Sequence, residues 1–151
     1  MSWTAITVDE LKHRKVAALV EALQAAALGD GQADPVEQLI ASVTETIRAN
    51  VKSCAANVLD ADTTKIPGDL LDLGCRLVLY GAKGRLEIPL TQDERDQKAS
   101  DERTLERIAD CKLAIAKTDN PETTETVASP ASTPRIFEPT RTFSRTSQDG
   151  I

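Results

Sequence analysis

Before its last fifteen residues this chain carries two aromatic side chains, Trp3 and Tyr80; both of its phenylalanines lie within those fifteen. A core drawn from the rest of the chain must be made of Leu, Ile, Val and Ala. Those side chains suit helices packed closely through small residues better than a β-sandwich. At 151 residues, 40% hydrophobic and 28% charged, the chain is long enough for one globular domain with a real core and some additional segments. The expected fold class is all-α, a small bundle of about four helices followed by a long extended C-terminal arm.

The helix starts are the clearest local signals. Thr7 with Glu10 three residues on reads as a capping box, and Ile6 with Leu11 as the staple across it. The apolar face continues through Leu11, Leu19 and Leu23, with Val16 near it, and Gly29 and Gly31 are expected to stop this first helix. A second helix begins at Asp34-Pro35-Val36-Glu37, with Asp34 as cap, Pro35 in the first helical position and Glu37 completing a box. Leu39, Ile40, Val43, Ile47 and Val51 then give the strongest helical period of the chain, which ends between Ala55 and Leu59. Asp60 to Lys65 reads as a polar loop. Ile66-Pro67-Gly68-Asp69 starts a third helix that Gly84 ends, with Leu70, Leu73, Leu77 and Tyr80 on one face. Gly74 and Gly81, two turns apart, offer a neighbouring helix a close approach; glycines merely tolerated there are the other reading. Thr91 and Glu94 form a third box, and the fourth helix is expected to run to about Lys117. Its first part is densely charged and reads as solvated.

From Thr118 the composition changes. Residues 118–134 are rich in Thr, Ser, Pro and Glu and offer too little apolar surface to offset their ordering entropy, so they read as a linker. The arm at 135–151 comes next. It contains Arg-x-Phe-x-x-Thr twice in tandem, at Arg135-Ile136-Phe137 to Thr140 and at Arg141-Thr142-Phe143 to Thr146. A buried Phe contributes roughly 1.5–3 kcal/mol, and this chain places both of its own on an extended segment. Arg135, Ile136, Phe137, Arg141, Phe143 and Arg145 are therefore the candidate partner-binding residues.

The formal net charge of −6 disfavours general binding to a phosphate backbone. No apolar run reaches the ~20 residues of a membrane span, and the N-terminus lacks the pattern of a signal peptide. Cys54, Cys75 and Cys111 have no metal-ligand spacing and no disulfide framework, and are expected to be reduced thiols buried as small apolar residues in a cytoplasmic setting. The single histidine, His13, lies among Lys12, Arg14 and Lys15 and reads as part of a solvated face. Gly81 to Gly84 lacks the spacing of a phosphate loop. Asp30 to Asp34 has Pro35 where a calcium loop needs its glycine. The acidic cluster Asp93, Glu94, Asp96, Asp101 and Glu102 is interleaved with Arg95, Lys98 and Arg103, as in an ion-paired solvated helix. Neither an enzyme nor any cofactor or metal is expected.

The order of these pieces resembles the small head–tail connector (head-completion, or adaptor) proteins of tailed phages, of the Mu-like type. The stretches that carry the resemblance are Thr7 to Leu11, Ile40 to Arg48, Ile66 to Leu70 leading to Leu77 through Tyr80, Pro89 to Arg95, Leu105 to Ala109, and Arg141 to Arg145. The chain departs from the pattern at Asn50, Val51 and Lys52, where tyrosines are usual, and at Cys111, where glycine is common. The resemblance implies an all-α subunit of the virion neck, assembled in the host cytoplasm into a homo-oligomeric ring with twelve copies expected. Its implied partners are the portal protein and a tail-side neck or tail-completion protein, with DNA passing through the lumen without specific binding. A cytoplasmic helical adaptor whose Ser/Thr-rich tail is a regulated docking peptide is the alternative. A small enzyme or DNA-binding helical domain is a third, more remote one.

Overall fold

The computed structural model describes residues 2–25 and 34–122, with the side chains of Lys15 and Val16 left aside. The described chain is mainly helical, as expected of an all-α protein. It runs through β1 (Trp3–Ala5), α1 (Val8–Leu11), a π-helical turn (Lys12–Val16), α2 (Ala17–Ala25), α3 (Pro35–Ser53), β2 (Lys65–Pro67), a 3₁₀ turn (Gly68–Leu70), α4 (Leu71–Arg85) and α5 (Gln92–Ala109). α3 is the central element and packs against α2, α4 and α5.

Three helix starts follow the sequence signals, at Thr7, Asp34 and Thr91. The third expected helix, read as starting at Ile66 to Asp69, begins as α4 only at Leu71, after a strand and a 3₁₀ turn and without a side-chain cap. The Thr7 hydroxyl accepts from the Glu10 backbone N–H at 3.3 Å. Asp34 caps α3 by accepting from Val36 N–H at 2.8 Å, with Pro35 in the first turn. Glu37 is exposed, and the cap is completed instead by Gln24, whose amide donates to Asp34 at 2.8 Å. Thr91 and Glu94 form a full reciprocal capping box on α5. In the first helix the π turn adds a residue and rotates α2 relative to α1. Val20 and Leu23 thereby join Leu11 in the core, with Leu19 at its edge. The glycine stops at Gly29 and Gly31, and the Asp30 to Ala33 part of the calcium-like segment, lie outside the described residues.

The core is aliphatic. Leu11, Val36, Ile47, Val51, Ile66 and Ile108 are its most completely buried members. Gly74 and Gly81 on α4 receive side chains of α3: a Cβ on Gly74 would stand 3.3 Å from Ile47 Cδ1 and 2.8 Å from Ile6 Cδ1, and one on Gly81 would stand 2.9 Å from Leu39 Cδ2. The two glycines thus let α3 and α4 approach closely.

Several expectations change. Residues 3–5 and 65–67 form a short antiparallel pair, with Trp3 opposite Pro67 and Ala5 opposite Lys65. Strands of three residues carry no readable alternation, and Pro67 could equally open a helix. α4 runs past Gly84 to Arg85, and the left-handed position that closes it is Glu87 at φ 57°. α5 ends at Ala109, well short of Lys117, because Cys111 turns left-handed at φ 60°. Asp101 is not solvated: it is 2% exposed, and Arg76 of α4 donates to both its oxygens at 2.9 and 2.6 Å, with Gln97 adding a third bond at 3.1 Å. No helix among the described residues is long and apolar enough to cross a membrane.

Gly74→Val should lower stability by about 1–3 kcal/mol through overpacking against Ile6, Ile47 and Ile66. Gly84→Ala, with nothing within 4 Å of its Cβ, should raise stability by roughly 0.5–1 kcal/mol. Urea denaturation of the two variants measures both signs.

Candidate docking surfaces

The sequence-predicted partner residues, Arg135, Ile136, Phe137, Arg141, Phe143 and Arg145, lie outside the described residues. The described chain does reach the root of that arm. After α5, residues 110–122 fold back over the body as a strap, and three devices hold them there.

The first is Asp60, 3% exposed in the loop between α3 and β2. Its carboxylate accepts from the Thr118 hydroxyl at 2.5 Å, from Asp62 N–H at 2.9 Å and from the Asn120 amide at 3.4 Å. Backbone bonds run alongside, from Ala61 N–H to Asn120 O at 2.9 Å and from Glu122 N–H to Leu59 O at 2.8 Å. Residues 118–122, the first five of the stretch read as linker, are thus clamped antiparallel to residues 59–61. The Thr118 hydroxyl, the Asp62 N–H and the nearby Lys65 charge hold the Asp60 carboxyl below its ordinary pKa of 3.8, against the opposing effect of burial.

The second device is Trp3. Its indole N–H donates to Ala116 O at 3.0 Å, and its ring lies under the Arg48 guanidinium at 5.6 Å. Arg48, buried on α3, donates to the carbonyls of Asp60 at 2.8 Å, Asp62 at 3.0 Å and Lys65 at 2.8 Å. One side chain therefore fixes the loop that carries Asp60 and the start of β2.

The third is a disulfide between Cys54, at the C-terminal end of α3, and Cys111, just after α5. This corrects the expectation of three reduced thiols. A separation of 57 residues hides such a pairing from spacing rules; the fold brings the two Cα atoms to 5.3 Å. Cys75 remains free and buried, as expected, and burial pushes its thiol pKa up.

Two concavities flank these devices. One, of about 700 Å³, lies beneath the strap, bounded by the disulfide, Leu113, Ile115 and the exposed Val58. The other, of about 680 Å³, lies between the β1–α1 connection and α3. Val8, Ile40 and Ala41 give it an apolar lining, Glu37 and Glu45 stand exposed on it, and Arg48 closes one end. Thr44 lines the same groove; it is 4% exposed, and its hydroxyl has no hydrogen-bond partner among the described residues. His13 is exposed, and among the described residues no group of three or more His, Cys, Asp or Glu is placed to hold a metal ion.

What the geometry defines is a small all-α body with a tethered C-terminal strap and an apolar groove beside it. Searches of protein-family models, curated proteins and solved structures find no match to this chain.

Asp60 and Trp3 were missed as residues that hold the strap because each acts through loop geometry. Arg48 left one trace: it is a cation on the face of α3 that carries Thr44, Ile47 and Val51.

Because the folded pKa of Asp60 lies below its ordinary value, its contribution to strap docking is complete above pH 3.8 and is lost as pH falls through the lower folded value. Asp60→Asn should remove that acid-sensitive component. The only tryptophan, Trp3, lies under the strap, and its fluorescence across an acid titration of both proteins reads the difference.

Reducing the disulfide, or changing Cys111 to Ser, should cost on the order of 2–4 kcal/mol, since it closes a loop of more than fifty residues. Denaturant midpoints with and without reductant test this.

Proposed function

We propose that this chain is a structural subunit of the virion neck of a tailed phage. It assembles into a ring that joins the portal of the filled head to the tail. The observation that carries the reading is the arm with its tandem Arg-x-Phe-x-x-Thr units, beyond a strap bonded to the body from Glu122 to Leu59. The resemblance to head–tail connectors, which runs from Thr7 to Arg145, gives the reading its class.

A fixed root makes the arm useful as a fastener. Phe137 and Phe143 fill apolar pockets on an adjacent subunit or on the portal, while Arg135, Arg141 and Arg145 pair with acidic groups there. Each arm contributes modestly. Repetition around a ring of about twelve turns modest contacts into a durable joint. The chain's acidic balance suits a lumen through which DNA slides without sticking.

The Cys54–Cys111 disulfide favours this reading over that of a cytoplasmic adaptor. A cytosol keeps thiols reduced, whereas a virion completed there passes to an oxidising exterior, where such a bond persists.

Electron microscopy of the full chain, alone and mixed with its portal, tests the reading: rings or a portal-bound collar are expected, and a chain that stays monomeric and ignores the portal would contradict it. Deleting residues 135–151 should leave the helical circular dichroism intact and abolish docking. Changing Phe137 and Phe143 together to Ala should weaken the joint more than changing any surface lysine of the first helix.

A further inference from the structure

We propose that the groove between the β1–α1 connection and α3 is the receptor for the Arg/Phe arm of a second copy of this chain. The proposal rests on the reading of the arm as a fastener and names its pocket.

Four observations converge on this groove. Its lining is apolar at Val8, Ile40 and Ala41, and its volume of about 680 Å³ admits aromatic side chains. Two exposed carboxylates, Glu37 and Glu45, stand on it, while the one cation that lines it among the described residues, Arg48, is already committed to three backbone carbonyls. The Thr44 hydroxyl is buried there without a partner among the described residues. A threonine inside a helix ordinarily bonds back to the carbonyl four residues earlier, as Thr46 does to Ser42 and Thr104 to Ser100. An unpaired hydroxyl in such a place is costly unless an occupant brings a polar group, and an extended peptide brings backbone N–H and C=O at every residue.

The arm has the complementary pattern. Residues of one parity share a face of an extended segment. Arg135, Phe137, Arg141, Phe143 and Arg145 are all odd-numbered, so an arm docked in extended form would carry its three arginines and both rings on one face. Over residues 135–145 there are three arginines against one glutamate, in a chain that is acidic as a whole. Apolar anchors flanked by cations match an apolar groove flanked by carboxylates.

The length of chain beyond Glu122 makes a neighbour's groove the occupant we commit to. Thr63 and Thr64 border the groove and belong to the same loop as Asp60, to which the arm's root is clamped. Twelve residues, including Pro130 and Pro134, separate Glu122 from Arg135. Extended, they span on the order of 40 Å. A segment of that length containing prolines is long enough for the arm to reach a second copy.

The test uses the full chain and its self-association, measured by sedimentation velocity over a range of concentrations. The arm variant carries Phe137→Ala and Phe143→Ala. The groove variant carries Ala41→Arg and Glu45→Lys, both at exposed helix positions. Each variant alone should associate at least tenfold more weakly than the unchanged chain. An equimolar mixture should recover association, because the intact arm of the groove variant meets the intact groove of the arm variant. Thr44→Val, which removes the unpaired hydroxyl while keeping the packing, should also weaken association without lowering the denaturation midpoint.

A groove variant that associates like the unchanged chain, alongside a defective arm variant, overturns this receptor while leaving the arm as a fastener to something else, such as a portal surface. If neither variant loses association, both the receptor and the fastener reading fall. If both lose it and mixing restores nothing, the arm occupies its own groove and the second copy is excluded.

Discussion

The guanidinium of Arg48 is the joint on which the non-helical half of this protein depends. Burying an arginine is unfavourable unless its donors are paired, and here three loop carbonyls accept from three of its five N–H groups while Trp3 lies against the cation. Those same carbonyls belong to Asp60, Asp62 and Lys65, so satisfying one side chain sets the path of the loop from α3 into β2. That path brings Lys65–Pro67 beside Trp3–Ala5 and turns the Asp60 carboxylate toward Thr118 and Asn120. The polar groups of the loop, the short sheet and the strap therefore form one connected arrangement. Removing any member leaves another buried polar group without its partner, which is the costly outcome.

The helical half was legible because it is local. Thr7, Asp34 and the Thr91–Glu94 pair announce helix starts through side chains that reach two or three residues along the chain. The recurrence of Leu39, Ile40, Val43, Ile47 and Val51 marks the buried face of α3. The rest was hidden for the opposite reason. The sheet has three residues per strand, too few for a period. The disulfide and the Asp101–Arg76 pair join residues 57 and 25 positions apart, and only the packing of α4 and α5 against α3 brings them together. The end of α4 was misread because Gly84 reads as the stop, whereas Glu87 holds the left-handed position; the end of α5 was misread because nothing in the sequence before Lys117 announces the left-handed turn at Cys111. Of the candidate site, the arm residues were visible as a motif; their root at Asp60 and the groove holding Thr44 were not.

These two halves suggest a division of labour. The α3-centred bundle is a scaffold whose aliphatic core and close glycine contacts fix its shape. The strap, held by the Cys54–Cys111 bond, by Trp3 and by Asp60, brings the C-terminal segment to a fixed point on that scaffold. In the connector reading, a ring needs this arrangement: each subunit presents a receptor on its body and a fastener from a defined root, so the same contact repeats at every joint and the ring closes. Polar satisfaction sets the root, and apolar anchoring with charge complementarity sets the joint.

The most direct measurement is an electron-microscopy reconstruction of the assembled oligomer at side-chain detail. The account predicts that chain density leaves Glu122 of one copy and crosses to the next, placing Phe137 and Phe143 along the α3 groove within reach of Thr44, Glu37 and Glu45. Arms packed inside their own bundles, or grooves empty in a closed ring, would contradict it.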